Sequence, residues 1–85
     1  MPRFLDHHTL TGALPKEAVD MIKSAVKAGK ADQFGVKPID VLIAEGESYC
    51  ISEAPNADAV IKSHKAIGFE LGKSNVKQVT SLASS

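Results

Sequence analysis

At 85 residues the chain suits one small domain, with a single core and little stability in reserve, so association with another copy would be a useful supplement. Ten Lys and Arg against ten Asp and Glu leave no net charge and no run of like charge, which argues against nucleic acid and a membrane surface as partners. A single cysteine excludes an internal disulfide framework and a CxxC zinc knuckle.

The opening residues, Met1 to Asp6, lack the long apolar region of a signal peptide, and no apolar run reaches membrane-spanning length, so a cytoplasmic protein is expected. Arg3 to Thr9 then reads as a strand that ends at a Thr11-Gly12 turn. A helix follows. Pro15 suits its first position, Glu17 favours the positive end of its dipole, and Ala18, Met21, Ile22, Ala25 and Gly29 recur at helical spacing. Lys16, Lys23, Lys27 and Lys30 fall mostly on the solvated face, as do Glu17 and Asp20, and Gly35 is expected to stop the helix or its last loose turn.

Alternation over Ile39 to Ala44 predicts a second strand, Glu45-Gly46-Glu47 a tight connection, and Ser48 to Glu53 the third strand of a hairpin. Asn56 caps a second helix whose apolar face is Ala57, Val60, Ile61 and His64, ending at Gly68. A last strand is expected from Val76 to Leu82. The order β-α-β-β-α-β is the split βαβ of an α+β, ferredoxin-like fold: a four-stranded antiparallel sheet with two helices on one face. One domain covers residues 1–82, and 83–85 form a frayed tail. Apolar residues on both sides of the strands, as in Phe4-Leu5 and Val41-Leu42, imply that the uncovered sheet face meets a second subunit, giving a homodimer.

Asp6-His7-His8 puts three ionisable groups in succession on the first strand, and imidazole and carboxylate are common ligands of divalent transition metals. Successive strand side chains face opposite ways, so Asp6 and His8 share one face and His7 serves the other. In the second helix, His64 lies eight residues beyond Asn56, a return of roughly 12 Å that brings it level with Cys50 or Tyr49. The histidines and the thiol are therefore expected at one end of the central strands. The candidate metal ligands are His8 and Asp6, then His64, His7 and Cys50.

Plainer readings compete for each residue. His64 fits a core histidine bonded to backbone, His7 and His8 fit a wet subunit interface, and Cys50 fits a small buried apolar side chain. Tyr49 fits a packing residue with its hydroxyl at the rim, and Glu53 fits an acceptor for helix-start N–H groups. Catalytic machinery is incomplete: a Cys50–histidine pair has no recognisable oxyanion hole, and no phosphate loop, HExxH helix or nucleophile elbow is present.

Three segments carry a resemblance: residues 1–4, Ser48 to Asn56 with its Tyr49-Cys50-Ile51-Ser52-Glu53-Ala54-Pro55 core, and Ala59 to Phe69 around His64. Together they resemble a small nickel-binding-protein-like family of bacterial and archaeal domains of unknown function, over about residues 1–82. The resemblance implies a dimeric ferredoxin-like fold and nickel binding by some members. Tyr49, Cys50, Glu53 and His64 match the family pattern, whereas many relatives have Glu-Arg where this chain has His7-His8. The expected function is binding of a divalent transition metal, nickel for preference with zinc or copper as alternatives. The rivals are a small enzyme or small-molecule binder using His64 with His7 or His8 as acid–base groups, and an interaction module whose dimer face is its function.

Overall fold

A computed structural model describes residues 2–9, 14–68 and 70–83. The expected Thr11-Gly12 turn and the last two residues of the expected tail lie outside them, as do Met1 and Phe69 of the family-like segments. Strands β1 (Arg3–Thr9), β2 (Lys37–Ala44), β3 (Glu47–Glu53) and β4 (Val76–Val79) alternate with helices α1 (Lys16–Ala28) and α2 (Ala57–Ala66), and a 3-10 turn at Lys73–Asn75 leads into β4. The sheet is antiparallel in the order β2-β3-β1-β4, so the first and third strands are central as the ferredoxin-like topology requires.

Several element boundaries differ from expectation. Helix α1 stops at Gly29, not Gly35: Gly29 takes the left-handed conformation (φ 63°) and donates its N–H to the Ala25 carbonyl. Gly35 instead turns the following loop at φ 81°, where a side chain would also press on Pro55. Strand β2 begins earlier, at Lys37, and takes in Pro38 with an irregularity between Pro38 and Asp40; as an edge strand it tolerates the missing N–H. Strand β4 ends at Val79, opposite Arg3, the first residue of β1; Leu82 lies exposed in a turn. Helix α2 ends at Ala66, with Gly68 two residues beyond.

Phe4, Val36, Ala54, Ala59, Val60, Leu71 and Val76 form the core, with Ala57 and Ile61 packed against it, so the α2 half of the sheet is well filled. Asp32 ties the loop before β2 to α2: one carboxylate oxygen accepts the Phe34 and Val36 N–H groups and the other accepts the Ser63 hydroxyl. The α1 half is different. No residue of α1 is buried, and its apolar face, Met21 included, stands over a cleft above β2 and β3.

Asn56 fixes the start of α2 by accepting the Ala59 N–H at 2.8 Å. Asn56→Ala is expected to cost about 1 kcal/mol through that lost cap. Thermal unfolding followed by circular dichroism should show a fall in Tm of about 4–8 °C.

Candidate metal centre

The register of the central strands builds the site. Asp6 sits opposite Cys50 and His8 opposite Ser48, so Asp6, His8 and Cys50 all point to the helix-covered face. His64, two turns into α2, descends onto the same spot. Asp6 is fully buried, and its Oδ2 accepts from His8 Nε2 at 2.5 Å and from His64 Nε2 at 3.1 Å. The two imidazoles stack with centroids 5.0 Å apart. One donor atom from each of Asp6, His8, Cys50 and His64 lies within 4.8 Å of the other three.

The His64 ring has a defined orientation. Its Nδ1 donates to the Val60 carbonyl at 2.8 Å, one helical turn back, which leaves Nε2 as the atom turned toward the cluster. Metal-binding histidines are commonly oriented by such a backbone acceptor on the other nitrogen.

Electrostatics in the cluster are mutual. Burial is the largest influence on Asp6 and favours the neutral acid, but the hydrogen bonds and charges of His64 and His8 outweigh it and hold the carboxyl below its ordinary value. The hydrogen bond to Asp6, followed by that to Cys50, lifts His8 to about 9. For His64, burial works against the charged ring, yet Asp6 and Cys50 carry it to about 10. With one carboxylate between two rings 5.0 Å apart, the second proton must be held less tightly than the first. Cys50 is pushed up by burial and pulled down more strongly by His64 and His8, so its thiol ends below the ordinary value.

These residues suit a divalent cation. Asp6 Oδ1 is buried with no hydrogen-bond partner, a costly arrangement for a carboxylate oxygen unless a cation completes it. Carboxylate and thiolate together balance two positive charges, and two neutral imidazoles complete a four-donor set. Zinc-like bonds of about 2.0–2.3 Å would need the donors to close up by only about 1 Å.

His7 goes elsewhere. It lies on the opposite sheet face, where Nε2 is 2.9 Å from Glu47 Oε1 and its ring is 5.1 Å from that of Tyr49; the Tyr49 hydroxyl donates to Glu47 Oε2 at 3.2 Å. The expected convergence of all three histidines thus reduces to two, since β1 alternation sends His7 away. Glu53 does not accept helix-start N–H groups but lies 3.9 Å from Lys37 Nζ. Sequence reasoning missed the Val60 carbonyl, which the i, i−4 spacing of a helix supplies automatically, and Glu47 as the partner of His7.

The fold and the site define a small ferredoxin-like α+β protein with a buried carboxylate, two imidazoles and a thiol clustered between sheet and helix. The chain belongs to the SCO4226-like family, described as nickel responsive protein SCO4226-like, whose pattern matches residues 4–73. Its fold is similar to that in the crystal structure of SCO4226 from Streptomyces coelicolor A3(2), with a TM-score of 0.70 and 23% identity over 93% of this chain and 96% of that one. Comparison with curated proteins finds no match. No helix among the described residues is long and apolar enough to cross a membrane.

Proposed function

We propose that the protein binds a divalent transition metal, nickel for preference, through Asp6, His8, Cys50 and His64. The observation that carries this reading is the convergence of four donor atoms within 4.8 Å around a buried carboxylate whose second oxygen lacks a partner. The family description supports nickel as the ion. The ligand set alone would also accept zinc, and copper(II) would bind it more tightly than either.

The protein acts as a homodimer in this reading, joined through the uncovered sheet face. Leu5 and Ile51 are half-buried there and Leu42 is exposed beside the His7–Glu47–Tyr49 group. Residues 1–82 form the single domain, in the cytoplasm, with 83–85 as its tail. The metal centres lie on the other side of each sheet, so dimerisation leaves them separate.

Calorimetry on tag-free, chelator-stripped protein tests the ligand set. His8→Ala and His64→Ala should each weaken nickel binding by at least about tenfold, on the scale of lost metal-site contacts. His7→Ala should leave the affinity within about twofold, because its imidazole faces away from the cluster. Unchanged affinity in both the His8 and His64 variants would remove these ligands from the account.

A further inference from the structure

Helix α1 has an amphipathic pattern yet buries none of its residues, which is unusual for a helix on a sheet. Beneath it lies a cavity of about 420 Å³ walled by Met21, Ile22, Ala25 and Val26 on the helix and by Val41 and Cys50 on the strands. A second cavity of about 390 Å³ shares Met21, Ile22, Val41, Cys50, His64 and Ile67 with the first, so Cys50 and His64 stand at the boundary of both. Interiors rarely leave voids much larger than a water molecule, whereas small-molecule sites fall in this size range and combine apolar walls with a few convergent polar groups.

We propose that the cleft under α1 binds a small molecule with an apolar body and one oxygen-bearing end, the body against Met21, Ile22, Ala25 and Val26 and the polar end against Cys50 and His64. Size favours such an occupant: at about 420 Å³ the cleft falls in the range of small-molecule sites. Polarity sets the orientation. Helix α1 offers aliphatic carbon and a thioether, α2 adds the His64 imidazole, and the strands add the Cys50 thiol and Ser52, whose buried hydroxyl has no hydrogen-bond partner.

The polar end would meet Cys50 and His64, which the metal reading also uses, so the proposal is tested first on metal-free, full-length protein. Titration with 1-octanol and with octanoate, followed by amide chemical shifts, should show saturable binding of at least one of them at one site per chain, with shifts at Met21, Ile22, Ala25, Val26 and Val41. Ala25 is solvent-exposed in α1, and Ala25→Phe should fill the cleft and weaken binding at least about tenfold, or about 1.4 kcal/mol. Ala25→Leu should shift it in the same direction should the larger ring perturb folding. Absence of saturable binding by both probes, affinity unchanged in both variants, or shifts confined to other surfaces would overturn the proposal. Loss of nickel affinity with octanol or octanoate binding intact would count against the metal reading alone, and the reverse result against this one.

Discussion

Asp6→Asn is expected to weaken nickel binding at least about 100-fold, the largest effect of any single substitution in the site. The amide keeps the shape of the side chain but removes one of the two anions that balance the ion, and it offers a poorer donor than carboxylate. The same change acts on metal-free protein. Asp6 is fully buried and bridges His8 and His64 through one oxygen, so both rings lose their shared acceptor charge together. Removing one partner of a buried charged group is expected to cost about 3 kcal/mol, visible as a lower midpoint in urea unfolding at pH 7. Nickel affinity by calorimetry and unfolding on one protein preparation would give both numbers.

The second large effect is on pH. The hydrogen bonds of the metal-free cluster join the Asp6 carboxylate to the His8 and His64 rings, and a metal would claim the same three side chains. Protons and metal therefore compete. With His8 raised to about 9 and His64 to about 10, with the second proton weakened by the first, and with the Cys50 thiol also bound as thiolate, one to three protons leave per ion bound near neutrality. Nickel affinity should rise by at least about 10-fold per pH unit between about pH 6 and 8, and calorimetry in buffers of different ionisation enthalpy should count the protons released. Stability of the metal-free protein follows the opposite course. The raised histidines contribute stability that is complete below their unfolded value of 6.5 and is lost as pH climbs through about 9 and 10. Asp6, held low, contributes stability present above its ordinary 3.8 and lost as pH falls through its lower folded value. Metal-free protein should thus be most stable between these limits, and its affinity for nickel should still be rising where its own stability has begun to fall.

Most of the site was legible in the sequence because it follows from two periodicities. Strand alternation puts Asp6 and His8 on one face, and the antiparallel register of β1 and β3 sets Asp6 opposite Cys50. Helical rise from the Asn56 cap then carries His64 to the same level. The same alternation, applied without exception, separates His7 from the cluster, although proximity in sequence had kept it among the candidate ligands. Less legible were features that depend on how tightly elements dock. The periodicity of α1 showed which face turns inward but not that the helix would stop short of burying it, because apolar spacing carries no information on the distance to the sheet. Element ends were hidden for a similar reason: β4 stops at Val79, opposite the start of β1 at Arg3, a tertiary event invisible in the segment from Val76 to Leu82.

The most direct test of the central claim is nickel K-edge X-ray absorption on tag-free wild-type protein reloaded with one equivalent of nickel, beside Cys50→Ser. The account predicts one sulfur and two imidazoles around a single ion per chain in the wild type, with the sulfur lost and the imidazoles retained in the variant. A wild-type shell of oxygen alone, or one that keeps its sulfur in Cys50→Ser, would contradict it.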